Sequence, residues 1–306
     1  MFEEKSIRPM LIKNILDPFN SPDYIYELKL DGIRCIAYLN ETHTELRNKR
    51  NERILSKFPE LTDIHANAKG KCILDGELVI LKKGVPDFLE IQRRTLMNDR
   101  LQIGLAAAKY PSCYVAYDLL YMNNKPLFNL PLIERKRLLE GIINENIKLA
   151  VSRYVTEHGV ELFNLAKQQN LEGVVAKVWN SRYYPDKHSK EWVKFKTLAD
   201  KDFVICGYVA KEKGATSLIL GQYRGNDLLY KGHVIKGVHS GFASEYNCTS
   251  ISQSPFRLTP SGNEDAIWLE PRLVCTVQYM PNEKDVLRQP VLKGIRNDKA
   301  PSDCRE

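Results

Sequence analysis

No apolar run in this chain approaches 20 residues, so no segment reads as a membrane-spanning helix and no membrane partner is expected. The opening residues, MFEEKSIRPM, lack the hydrophobic stretch that a secretory signal needs. The 7 cysteines stand singly, with no Cys-x-x-Cys pair. That argues against a zinc centre or a disulfide framework and fits a reducing cytoplasm. Internal repeats, low-complexity linkers and a tail of one charge are also missing. What remains is an ordinary globular composition: 306 residues, 43% hydrophobic and 27% charged. Two domains with a sizeable core are expected at this length. The net charge of +7 permits an anionic partner such as nucleic acid without requiring one. Because the excess is spread along the chain, any such surface must be assembled by folding.

Lys29-Leu30-Asp31-Gly32-Ile33-Arg34 joins two alternating, strand-like runs, Tyr24 to Lys29 and Arg34 to Leu39. Asp-Gly between such runs predicts a hairpin, with a lysine at a strand end and an arginine on the return strand. A lysine held in this way can act as a nucleophile. Ile73 to Leu81 reads as a strand pair or a bent strand, and Tyr114 to Met122 as a strand. Asp87 to Met97 has helical spacing in Phe88, Ile91 and Leu96, and Leu132 to Ile143 and Val160 to Gln169 read as amphipathic helices. Gly173 to Trp179 and Trp192 to Lys196 are strands again. After Lys196 the texture changes to short strands (Phe203 to Val209, Ser217 to Tyr223, Leu228 to Val234, Leu273 to Tyr279), separated by Gly, Asn and Pro. A small β-barrel of about 100 residues is predicted there, with Gly225-Asn226-Asp227 as a hairpin turn and a boundary near Thr197 to Asp200.

Four more segments bear on chemistry: Asp75-Gly76-Glu77, Glu172-Gly173-Val174-Val175-Ala176-Lys177, Trp192-Val193-Lys194-Phe195-Lys196 and Arg296-Asn297-Asp298-Lys299. Each alone is ordinary. An acid in Asp-Gly-Glu is usually a turn acid, and lysines two apart share one face of a strand. Together they supply a lysine nucleophile, two glutamates able to hold a divalent metal, and a cationic pair able to hold phosphate.

This order of motifs resembles the ATP-dependent DNA ligases, of the covalent nucleotidyltransferase superfamily, over nearly the whole chain. It is most similar to the ligase domain of bacterial end-joining ligases. That closeness rests on Ser217-Leu218-Ile219-Leu220-Gly221 with Tyr230-Lys231-Gly232-His233-Val234, on Trp268 to Val274, and on Leu287 to Gly294. The resemblance implies an α+β fold: a mixed α/β nucleotidyltransferase (adenylation) domain, residues 1–198, followed by an OB-fold β-barrel, residues 199–306. It implies ATP as co-substrate, Mg²⁺ or Mn²⁺, and nicked duplex DNA as the substrate sealed. A Ku-like end-binding protein or a separate repair polymerase are implied partners, with a monomer in the cytoplasm, associated with the nucleoid.

The resemblance also assigns residues. Lys29 carries AMP, with Lys194 and Lys196 on the phosphates. Glu172 holds metal, and Glu77 holds metal or the ribose. Tyr117 stacks on adenine, where a Phe is more usual. Glu27, Arg34, Arg50 and Lys177 contact the nucleotide, Arg34 alternatively the 5′-phosphate at the nick. Arg296 and Lys299 orient the departing pyrophosphate. An attacking amine must be neutral, and an ordinary lysine is only about 0.1% neutral at pH 7.4. Lys194, Lys196 and a bound cation all disfavour its ammonium form and stabilise charge building on phosphorus. One departure stands out: the turn Gly232 to Phe242 is longer and more basic than in relatives. RNA ligases, GTP-using capping enzymes and an inactive nucleic-acid-binding scaffold share parts of this pattern and remain open on sequence.

Overall fold

A computed structural model describes residues 1–211, 215–238, 242–280, 287–296 and 298–306. Two compact units emerge, Met1–Lys196 and Thr197–Glu306. Among the described residues no helix is long and apolar enough to cross a membrane.

In chain order the first unit contains β1 (Leu11–Ile15), β2 (Tyr24–Leu28), β3 (Ile33–Leu39), β4 (Thr44–Asn48), β5 (Cys72–Lys82) and β6 (Val85–Pro86). Then come α1 (Phe88–Leu96), α2 (Arg100–Lys109), β7 (Ser112–Met122), β8 (Lys125–Pro126) and α3 (Leu132–Ile142). It closes with β9 (Leu149–Val151), β10 (Tyr154–Thr156), α4 (Gly159–Gln168), β11 (Gly173–Val178) and β12 (His188–Lys196). One sheet runs β1-β12-β11-β2-β10. The other runs β4-β3-β5-β7-β8, with β6 on β5 and β9 on β7. β5 and β7 carry the main core, in which Leu74, Leu78, Ile80, Tyr114, Ala116 and Leu119 are fully buried. The helices start where short acids cap them: Asp87 accepts from the Glu90 N–H at 2.9 Å, and Asp99 from the Gln102 N–H at 2.7 Å.

The hairpin expected at Lys29–Arg34 is not there. β2 pairs with β10 and β11, whereas β3 pairs with β4 and β5. Residues 29–32 therefore cross from one sheet to the other. Asp31 and Gly32 do not take the positive φ that a tight Asp-Gly turn requires. Gly32 is needed for a different reason, since a Cβ there would lie 2.0 Å from the Leu78 carbonyl oxygen. Leu96 also departs from expectation: it is 74% exposed, while Ile91 of the same helix is buried.

The second unit contains β13 (Ala199–Ala210), β14 (Ala215–Arg224), β15 (Asp227–Val238), the one-turn α5 (Phe242–Glu245), β16 (Ser250–Ile251), β17 (Ile267–Met280) and β18 (Arg288–Arg296). Its antiparallel sheet runs β15-β14-β13-β17-β16, with β18 on the far part of β17. β18 also approaches β15, so the sheet curls back on itself. Gly225-Asn226 closes the β14–β15 hairpin, with Arg224 opposite Asp227. Of the long turn 232–242, residues 239–241 lie outside the described residues, as does Asn297 in the Arg296–Lys299 motif.

Candidate active site

A cavity of about 600 Å³ in the first unit is lined by residues of both sheets. Lys29 stands at the start of the crossover, its backbone N–H donating to Gly173 O at 2.9 Å. Its Nζ donates to Glu172 Oε2 at 2.6 Å, and Lys196 Nζ lies 3.8 Å from the other oxygen of Glu172. Gly173 has φ +140°, and a Cβ there would lie 2.0 Å from Phe195 O, which explains glycine directly after Glu172. Lys194 and Lys196 share a face of β12, as their spacing predicts. Burial, then Lys29 and Lys196, push Lys194 below the ordinary lysine range. The cationic surroundings expected for Lys29 are thus present, but the group it touches is a carboxylate.

Glu77, opposite Arg34 in the β3–β5 register, makes no hydrogen bond or ion pair with another described residue. Burial pushes its carboxyl up to about 8; Lys29 and Arg34 act against that shift, and Glu172 and Asp75 add to it. Arg34 lines the cavity too, but its guanidinium forks onto Asp75 at 3.0 and 2.6 Å. Asp75 is completely buried and also accepts from the Tyr183 hydroxyl at 2.7 Å.

Glu27, which also lines the cavity, is buried and has three partners. Lys136 Nζ lies 2.8 Å and Lys177 Nζ 3.0 Å from its Oε1, and Ser152 Oγ donates to its Oε2 at 2.8 Å. Burial alone would raise this carboxyl, but the two lysines hold it below its ordinary value. Burial pushes Lys177 down to about 8. The Lys177 ammonium sits 4.5 Å from the Tyr117 ring centroid and 4.3 Å from that of Trp192, and the Arg34 guanidinium 5.6 Å from Tyr117. Arg50 lies on the exposed loop after β4 and lines the same cavity.

Lys29, Glu27, Glu77, Lys194 and the half-buried ring of Tyr117 line one cavity, with Glu172 and Lys196 beside Lys29 but outside the lining, an arrangement able to take a polyanionic ligand that carries a ring. Comparison with known proteins gives the family. Residues 7–196 match the ATP dependent DNA ligase domain, and residues 211–299 the ATP dependent DNA ligase C terminal region. The chain belongs to the ATP-dependent DNA ligase family.

This ligase is 33% identical over 207 residues to the SPbeta prophage-derived DNA ligase-like protein LigB of Bacillus subtilis, covering 67% of this chain and 73% of that protein. It is 27% identical to the multifunctional non-homologous end joining protein LigD of Mycolicibacterium smegmatis, over 99% of this chain but only 41% of LigD. A solved structure of mycobacterial DNA ligase D complexed with ATP and MES covers 99% of each chain, at 26% identity and a TM-score of 0.59. The mixed α+β class, a nucleotidyltransferase unit followed by an OB-type barrel, is the fold of such neighbours.

In the second unit of the ligase, Arg296 forks onto Asp298 at 2.7 and 2.6 Å, and Lys299 pairs with Asp202. Thr276 Oγ1 donates to the same Asp202 at 2.6 Å. Among the described residues no group of three His, Cys, Asp or Glu gathers as a metal cage. The pair Glu77 and Glu172 still fits a hard cation that keeps most of its waters, because the unpartnered Glu77 needs positive charge. Lys136 and Asp202 escape the sequence reading, and Asp75 enters it only within Asp75-Gly76-Glu77, without a role of its own. Asp75 did leave a signal, as an acid inside an apolar strand must find a partner. Lys136 and Asp202 left none.

Proposed function

We propose that this chain seals 5′-phosphate/3′-hydroxyl nicks in duplex DNA by passing one adenylyl group through Lys29. The neutral Lys29 amine attacks the α-phosphorus of ATP; a P–N bond forms and the P–O bond to pyrophosphate breaks. AMP then moves to the 5′-phosphate at the nick, freeing the lysine. The neighbouring 3′-hydroxyl attacks that phosphorus, the phosphodiester forms, and AMP leaves. The observation that carries this reading is the cluster around the Lys29 amine: Glu172 at 2.6 Å, with Lys194 and Lys196 on the adjoining strand.

The remaining roles are those that the resemblance to the family implies. Lys194 and Lys196 neutralise charge on the phosphates. Glu77 and Glu172 would hold Mg²⁺ or Mn²⁺, which supplies further charge neutralisation at the phosphates. Tyr117 offers a ring for the base, and Glu27, Lys177 and Arg50 line the walls around it. Arg34, held by Asp75, presents its outer edge to a phosphate. Arg296 and Lys299, each paired with an acid in this structure, are assigned to the leaving pyrophosphate, and the second unit alternates between facing ATP and facing DNA. We assign residues 1–198 to adenylation and 199–306 to the OB-type domain. The likeness to LigD supports a role in end joining, alongside a Ku-like protein or a separate repair polymerase, for a cytoplasmic, nucleoid-associated monomer. DNA affinity should fall steeply between about 50 and 200 mM salt.

The test uses ATP and GTP labelled at the α-phosphate, with Mg²⁺ and a denaturing gel. A label from ATP that survives denaturation and disappears in Lys29→Ala is expected. A label retained by Lys29→Ala removes the lysine from its role, and a label from GTP alone moves the chain to capping chemistry.

A further inference from the structure

Lys136 is out of place for a residue on a surface helix. It lies on α3, is 1% exposed and is absent from the lining of the cavity. An ammonium in such a place must be paired. Its partner is Glu27, 2.8 Å away. The Ser152 carbonyl oxygen at 3.4 Å and the Tyr154 ring at 5.3 Å complete its surroundings.

An ionised carboxylate has about four acceptor positions. Glu27 Oε1 takes Lys136 and Lys177, and Oε2 takes the Ser152 hydroxyl. Among the described residues this leaves one position, on Oε2, of a side chain that lines the cavity. Of the two lysines, Lys136 is the stronger influence keeping this buried carboxyl ionised. Lys177 is buried but lines the cavity and can meet what enters it. Lys136 reaches Glu27 from outside the cavity and cannot.

We propose that Lys136 is a positioning residue for base selection, holding Glu27 so that its free lone pair accepts from the amino group of adenine. Guanine presents a carbonyl at the same place. Its lone pairs would face those of a carboxylate, with no proton between them. The inference rests on the reading of this cavity as the ATP site.

Formation of enzyme–AMP from ATP is compared with formation of the matching adduct from purine riboside triphosphate, which carries only hydrogen at position 6. Lys136→Met should raise the half-saturating ATP concentration about tenfold and leave the limiting rate within about twofold. The half-saturating concentration of the analogue should not move. Lys136→Arg should recover part of the preference for ATP. If the two nucleotides weaken together, Lys136 serves packing alone; if neither weakens, it has no role in selection. Either result overturns the proposal. Melting curves establish that the variants fold. Should the Met variant not fold, Lys136→Gln keeps a donor without the charge and must show the same split at smaller size. Glu27→Gln separates the two levels. Full preference for ATP in that variant removes Glu27 from base reading and Lys136 with it. Lost preference there, with preference kept in Lys136→Met, rejects Lys136 alone. Absence of any adduct in the unmodified protein rejects the ATP-site reading itself.

Discussion

Glu27 and Glu77 line one cavity and live in opposite circumstances. Glu27 has two lysines and a serine hydroxyl, and its carboxyl lies below the ordinary range. Glu77 has no such partner, and burial pushes it up to about 8. The protein satisfies the first acid from its own side chains and, among the described residues, gives the second no partner. A carboxylate that reads shape must already be fixed before the ligand arrives. One that receives a cation gains its partner only then, and that change in circumstance can drive binding.

Four measurements sharpen or break this contrast. The largest effect is on stability. Glu27→Gln leaves Lys136 and Lys177 buried without their anion and should cost about 3 kcal/mol or more in urea unfolding. Glu77→Gln should cost nothing there. A loss of similar size in both variants would erase the distinction. Next comes activity: Glu77→Gln should slow enzyme–AMP formation about 100-fold and abolish any rise in melting temperature caused by Mg²⁺. Third is pH. Glu77 in the folded protein titrates near 8, above its ordinary 4.5, so the folded form keeps a proton that the unfolded chain has lost. Its contribution makes stability fall as pH rises from 4.5 to 8, by at most about 1.4 kcal/mol per pH unit. Glu27 runs the other way: its contribution is complete above pH 4.5 and is lost as pH falls below that. Urea midpoints across this range should lose the alkaline slope in Glu77→Gln and part of the acid slope in Glu27→Gln. The smallest effect belongs to the second unit. Arg296 is exposed and forks onto a neighbouring exposed acid, so Arg296→Ala should leave the melting temperature unchanged while slowing the ATP-dependent step. A fall in melting temperature would make it structural.

Local patterns carried much of this architecture, and long-range pairing supplied the rest. Strands such as β7 and β12 were legible because their burial alternates, and the turn at Gly225 because few residues accept its geometry. The crossover at Lys29 was misread because Asp-Gly marks a break in a strand equally well whether the chain turns back or passes to a second sheet. What decides is which strands pair, and β2 pairs with β11, far along the chain. The motif residues Lys29, Glu77, Glu172 and Lys194 could be picked out because the order of their motifs resembles a known family. Lys136 could not, since Glu-Arg-Lys-Arg on an amphipathic helix looks like a solvated face. Its partner Glu27 belongs to a network whose other members lie 125 and 150 residues away from it. Asp202 is equally plain in sequence, an acid between a lysine and a phenylalanine. Only folding brings Thr276 and Lys299 to it.

The bridge formed by residues 29–32 has a consequence for anyone who edits this gene. Four residues span at most about 14 Å, and a Cβ on the last of them would lie 2.0 Å from the Leu78 carbonyl oxygen. Every side chain placed at Gly32 meets that contact, so substitution libraries at this position should be barren. The Lys83–Gly84 turn between β5 and β6 is the reverse case. It is exposed, and a Cβ at Gly84 would meet nothing within 4 Å. A fluorophore or an affinity tag belongs there.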